Sequence, residues 1–233
     1  MALRAIFFDF NGVIVNDEPI HFLLFQKVLA EEGLTLNSEE YYSTFIGMDD
    51  RGCFQTVLGN CQSSVSEDRV EELIRRKARY YSEKIQDGIP LFPGVETFIR
   101  DVSRHCYVGL VSGALRSEIL TILARARLVD CFQVIVSAEE TKNWKPHPEG
   151  YLLALKLLNE QIRPAVAAVE CVAVEDTTWG IEAAHGAGMK CLAITNSYTA
   201  DDLKAADAHI ESLENLSWEK TTALFPNLQG SKW

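Results

Sequence analysis

AIFFDFNGVIV, Ala5 to Val15, is the stretch whose reading decides the fold. Four consecutive apolar residues run into Asp9, a run too short for a buried helix of usual length and suited to a buried central strand. Gly12 then lets the backbone turn where a side chain would clash. Ligands of an open α/β sheet bind at the carboxyl ends of its strands. The stretch therefore sets a carboxylate at the mouth of a sheet. Asn11 follows two residues later on the same side of the pleat. A second carboxylate there would be the natural proton-transfer partner of Asp9, and an amide is not.

Working outward, strand-like runs recur at Leu3–Phe10, Cys106–Ser112, Phe132–Ser137, Val169–Glu175 and Lys190–Thr195. Helical spacing fills Leu115–Arg127, Pro148–Glu160 and Gly180–Gly188 between the last four. This alternation predicts an α/β protein: a parallel sheet with helices on both faces. A short sixth strand near Ala208–Ile210 and a final helix near Trp218–Leu224 complete the core. From about Asn16 to Gly88 only helix patterns occur. Glu18–Glu32 carries Phe22, Phe25 and Leu29 at helical spacing and ends before Gly33. Ser38 precedes Glu40–Ile46, and Asp49 and Asp50 precede Arg51–Leu58. Ser66 caps a long helix through Ile85, with acids in its first turn. DGIPLFPG, Asp87–Gly94, reads as a return linker. The organisation expected is a catalytic core of residues 1–15 and 89–233 with an inserted all-α cap, residues 16–88, set over the sheet's mouth as a lid.

The 233 residues suit one such domain with an insertion. A net charge of -11 argues against nucleic acid and anionic membranes as partners. An anionic substrate would have to meet local cations or a metal. The six cysteines form no CxxC pair, and Cys106, Cys171 and Cys191 lie in strand-like runs as small buried hydrophobes. A reducing cytoplasm and a monomer are the expectations, and charge interrupts every apolar run before membrane length.

Four groups fall at predicted strand ends or in the loops after them: Asp9, Ser112-Gly113, Lys145-Pro146 and Glu175-Asp176. Singly each is a common turn or cap. Together, at the one edge where ligands bind, they describe a site. Asp9 and Asp176 would converge on a hard divalent cation, and magnesium suits one or two carboxylates with substrate phosphate oxygens. Ser112 offers a hydroxyl, the N–H groups after it an anion cradle at a helix start, and Lys145 a positive charge. Such a site fits phosphoryl transfer, with Asp9 as nucleophile.

With these motifs in view, the chain resembles the haloacid dehalogenase superfamily, in the group with a helical cap after the first motif. DFNGVIV, LVSGAL around Ser112, KPHPEGY from Lys145 and VEDT around Glu175-Asp176 match its four motifs in order. The resemblance implies a Rossmann-like core with an inserted all-α cap and Mg2+ held by Asp9, Asp176 and the backbone carbonyl of Asn11, with Glu175 supporting Lys145 and the metal's water shell. It departs at Asn11, where phosphatases and phosphomutases of the family place an aspartate as general acid and base. An amide orients groups but shuttles no proton, and loss of positioned acid–base catalysis typically costs about 10²–10⁴ in rate. Slow hydrolysis of good leaving groups, a binding scaffold, or an engineered substitution each accommodate it. Asn-Gly is also prone to deamidation, which would restore an aspartate.

Neither the dehalogenase branch, which needs no metal, nor the phosphonatase branch fits. The latter needs a lysine in the cap near Gly47–Arg51. In the cap, His21, Arg51 and Lys77 are the candidates for substrate binding. Ile46–Phe54 resembles a specificity loop of sugar-phosphate members, and Lys77 sits where β-phosphoglucomutase-like members place a lysine. Read plainly, RRKAR is a solvated face of an acidic protein and His21 a packing residue. The function expected is a magnesium-dependent phosphatase of a small phosphorylated metabolite. The alternatives are a β-phosphoglucomutase-like phosphomutase or a phosphometabolite-binding protein with little turnover.

Overall fold

The computed structural model describes residues 2–45, 48, 50–61, 66–86 and 88–228, and it divides into two compact units, Met1–Asn16 with Pro90–Trp233, and Asp17–Ile89. The larger unit carries six parallel strands: β1 (Ala5–Phe8), β2 (Tyr107–Val111), β3 (Val134–Val136), β4 (Cys171–Glu175), β5 (Lys190–Ile194) and β6 (Ala208–Ile210). Their order is β3-β2-β1-β4-β5-β6, so the chain winds one way from β1 and then back from β4 on its other side. The neighbouring ends of β1 and β4 are thus the switch point, where such sheets bind ligands.

β1 is fully buried because it is apolar on both faces. Ala5 and Phe7 pack into one cluster with Tyr151, Ala154, Leu158, Ile181 and Ala184. Those residues come from α7 (Glu149–Gln161) and α8 (Thr178–Gly186). Phe8 faces the other way, edge-on to Phe98 and Phe132. Phe98 belongs to α5 (Val95–Val102), a helix absent from the sequence reading, which buries Val95, Phe98, Ile99 and Val102. It starts at Gly94 with φ +82°, where a Cβ would strike the Leu213 and Glu214 backbone. α6 (Arg116–Arg125) follows β2, and α9 (Trp218–Leu224) closes the unit.

The second unit is helical: α1 (Glu18–Glu31), α2 (Ser38–Glu40) running into a π-turn at Tyr41–Phe45, α3 (Asp50–Cys61) and α4 (Glu67–Ile85). It has its own core of Phe25, Val28, Leu29, Phe54, Val70 and Leu73. Ser66 caps α4 by accepting from the Arg69 N–H. Among the described residues no helix is long and apolar enough to cross a membrane. The expected Ile46–Phe54 loop lies partly outside the described residues, at Ile46, Gly47 and Asp49, while Arg51 to Phe54 are helical.

Candidate active site

Asp9 leaves β1 with its N–H bonded to the Val174 carbonyl at 3.0 Å, so β1 and β4 remain in register where their acids emerge. Oxygens of Asp9, Glu175 and Asp176 lie within 4.8 Å of one another. Lys145 Nζ enters this group, 2.8 Å from Asp9 Oδ1 and 2.6 Å from Glu175 Oε1, and donates to the Val111 carbonyl at 3.4 Å. Two glycines make room. Gly12, with φ +75°, lies where a Cβ would overlap the Asp176 carboxylate, and a Cβ at Gly180 would overlap that of Glu175. An alanine at either would displace an acid of the site.

Burial, opposed by Lys145 and reinforced by Asp9, pushes the Glu175 carboxyl up to about 7. Burial and the Asp9 charge hold Asp176 well above the usual carboxylate range, against the hydrogen bond from Ser197. Burial alone would pull the Lys145 ammonium down. The charges of Asp9 and Glu175 outweigh it and keep Lys145 above the ordinary lysine range. Buried Glu175 Oε2 and Asp176 Oδ1 accept no hydrogen bond. Buried oxygens of this kind are costly unless something positive meets them. Hard oxygen donors, crowded and unsatisfied, fit a divalent cation such as magnesium.

Ser112 stands just past β2 and is buried, its Oγ donating to Asn11 Oδ1 at 3.4 Å and accepting from the Ala114 N–H at 3.0 Å. Here the structure corrects the expected anion cradle. The Leu115 N–H is taken by Glu118 and the Arg116 N–H by Glu139, so the helix start is already occupied by carboxylates. Ser112 and Gly113 stay as the candidates of that loop for a ligand. The Gly12 nitrogen, which would attack the Asn11 side chain in a deamidation, is held to the Val15 carbonyl at 3.1 Å. That bond opposes the reaction.

Three further groups complete the site. Tyr151 donates to Glu175 Oε1 from α7, and Ser197 donates to Asp176 Oδ2. Asn196 Nδ2 donates to the Gly12 carbonyl at 2.7 Å and pins the first turn. Asn196 and Ser197 follow β5, and the strand-end rule that selects Asp9 and Asp176 selects them equally. Trp179 is 43% exposed at the start of α8.

Within the helical unit Lys77 is buried, 2% exposed, which takes it out of the solvated face that Arg75 and Arg79 of RRKAR keep. Its Nζ contacts Asp50 Oδ1 at 2.6 Å and His21 Nδ1 at 2.9 Å, above the Phe25 ring at 4.2 Å. A lysine ammonium only donates, so His21 accepts at Nδ1 and its Nε2–H donates to Asp17 Oδ2 at 3.1 Å. Tyr81 stacks on His21 and donates to the same Asp17 oxygen at 2.6 Å. Arg51 pairs instead with Glu67 and Glu71 on the unit's surface.

The larger unit is thus a doubly wound α/β protein with a carboxylate cluster and one lysine at its switch point. The model for haloacid dehalogenase-like hydrolases matches residues 6–194, and the chain belongs to that family. It is similar to protein CbbY of Rhodobacter capsulatus, 30% identical over 91% of this chain and 95% of the relative. A phosphorylated carbohydrates phosphatase of Thermotoga maritima is 28% identical over 81% of this chain and 83% of that protein. Among solved structures, a β-phosphoglucomutase from Clostridium difficile aligns with TM-score 0.80 and 28% identity, covering 97% of this chain and 98% of the other.

Proposed function

We propose that the chain is a magnesium-dependent phosphatase of a small phosphorylated metabolite, a sugar phosphate by class, working through an aspartyl-phosphate on Asp9. The observation that carries this reading is the meeting of Asp9, Glu175 and Asp176 beside Lys145 at the switch point. The relative named for phosphorylated carbohydrates supports the substrate class. In this reading Asp17–Ile89 is the cap unit, with His21, Arg51 and Lys77 as its candidates for substrate binding.

One Asp9 carboxylate oxygen attacks phosphorus, and the bond from phosphorus to the substrate oxygen breaks. Lys145, the Ser112 hydroxyl and the Gly113 N–H hold the phosphoryl oxygens, so positioning and charge balance are most of the catalysis. The departing oxygen takes its proton from water, because the Asn11 amide can hydrogen-bond to it but holds no proton to give. Water then cleaves the acyl-phosphate and returns the Asp9 carboxylate with inorganic phosphate. Asp9, Asp176 and the Asn11 main-chain carbonyl, with Glu175 in support, would hold the magnesium, which would supply charge neutralisation to the phosphoryl oxygens. A phosphomutase, the activity of the β-phosphoglucomutase relatives, is the second reading. It needs protons moved at two hydroxyls per cycle and suffers more from Asn11.

Phosphate release from a panel of sugar phosphates and an aryl phosphate tests this reading. Magnesium-dependent release, faster on the aryl ester, is expected, and no release from any member contradicts it. Magnesium at a hundredfold excess over its Kd is also expected to raise the melting temperature by about 5–10 °C. The raised carboxyls bind protons in the ion-free fold, so ion-free stability falls as pH rises through neutrality. A cation must displace those protons, so the shift grows from about pH 6 to about pH 8. Asp176→Asn relieves the crowding and is expected to leave the ion-free protein at least as stable while erasing the shift. An undiminished shift in that variant removes Asp176 from the ion's ligands.

A further inference from the structure

The geometry points to Trp144 as the platform that selects the carbon skeleton of the substrate, an assignment that rests on the phosphatase reading of the neighbouring carboxylate site. Trp144 directly precedes Lys145, whose ammonium sits on Asp9 and Glu175. Its indole also reaches the Ser112–Gly113 loop: a methyl built on Gly113 would be 3.9 Å from Cε3 and Cζ3. Trp144 thus neighbours two of the proposed phosphoryl-binding groups, Lys145 along the chain and Gly113 through space.

That ring is 44% exposed, and Leu115, on the same loop as Gly113, is 40% exposed. An exposed tryptophan on a floppy loop would mean little. This loop is braced. Glu149 accepts from the Lys142 and Asn143 N–H groups at 3.0 and 3.1 Å and from Asn143 Nδ2 at 2.7 Å. The His147 N–H donates to the Trp144 carbonyl at 2.8 Å, and the Glu149 N–H to His147 Nδ1 at 3.2 Å. These bonds hold the Glu149 carboxyl below its usual range, so the brace is intact at neutral pH. An apolar side chain carried on an already ordered loop costs less ordering on binding, which is how specificity residues are built.

A bare phosphoryl group needs only the polar groups of Lys145 and Ser112 and has no apolar face to lay on an indole. A sugar phosphate has more to offer, since the C–H face of its ring is apolar while its hydroxyls remain free to hydrogen-bond. Trp144 therefore favours esters whose carbon ring lies flat against it over short or highly charged esters of the same leaving-group chemistry.

The probes are glucose 6-phosphate, glycerol 3-phosphate and acetyl phosphate, with inorganic phosphate as the binding control, all with magnesium. In Trp144→Ala, kcat/KM for glucose 6-phosphate relative to acetyl phosphate is expected to fall about tenfold, mostly through KM, with partial recovery in Trp144→Phe. Glucose 6-phosphate is also expected to quench indole fluorescence in a Trp179→Phe background, which removes the other exposed tryptophan among the described residues, and the Trp144 variants are read in that background. The quench should vanish in Trp144→Phe. An unchanged ratio in Trp144→Ala, a quench that survives in Trp144→Phe, or binding of phosphate without sugar phosphates overturns the platform and leaves the phosphatase reading standing. A protein that neither cleaves acetyl phosphate nor binds phosphate overturns that reading, and the platform with it.

Discussion

Asn11→Asp is expected to raise turnover of alkyl phosphates by about 10²–10⁴-fold, the usual value of one positioned acid–base group. The size of the gain should track the leaving group. An alkoxide leaves as a strong base and needs a proton during bond cleavage, which the Asn11 amide cannot provide. An aryloxide needs little help, so the same change should barely alter release from an aryl phosphate. The new carboxyl fits the place: Ser112 Oγ, 3.4 Å from Asn11 Oδ1, can donate to a carboxylate as it does to the amide. It also adds a fourth acid beside Asp9, Glu175 and Asp176, so the ion-free protein should melt slightly lower. Initial rates on paired alkyl and aryl esters check this. Equal rates on the alkyl ester would show that position 11 is not where the missing proton belongs.

Asp9→Asn is expected to reduce turnover of every phosphate ester by at least about 10³-fold, because no other group stands in its place as nucleophile. Ser112 is bonded to Asn11 and Ala114, and Glu175 is engaged by Lys145 and Tyr151. The fold should survive. A neutral amide at position 9 removes one charge from a crowded acid cluster and leaves the β1 register bond from the position 9 N–H to Val174 in place. Thermal melting separates the two effects, and full activity in a well-folded Asp9→Asn protein would end the nucleophile assignment.

What the sequence shows of this fold follows from where burial is two-sided. β1, β2, β4 and β5 announce themselves as apolar runs, and their ends place Asp9, Ser112 and Glu175-Asp176 without any knowledge of pairing. VETFIRDV has the helical period of α5 in plain form, yet it begins at a glycine after a turn-rich linker and carries no capping side chain. The π-turn at Tyr41–Phe45 depends on a backbone register that side-chain periodicity does not encode. Lys77 is a different case. Its charge reads as solvent-facing, and only the helical unit's own packing brings Asp50 and His21 around it. Tyr151 meets Glu175 because α7 lies across the sheet at one rotation, a fact of tertiary register. The amides of the Ser112 loop look free in the sequence because their carboxylate partners, Glu118 and Glu139, are spoken for only once α6 and the turn after β3 are in place.

The claim on which all of this rests is that Asp9 becomes phosphorylated. Rapid acid quench of the protein during turnover of acetyl phosphate with magnesium, followed by peptide mass mapping, reads this directly. One phosphoryl group on the peptide containing Asp9, absent in Asp9→Asn, is the predicted result. Turnover with an unmodified Asp9 peptide, or a phosphoryl group found instead on Ser112, would contradict it.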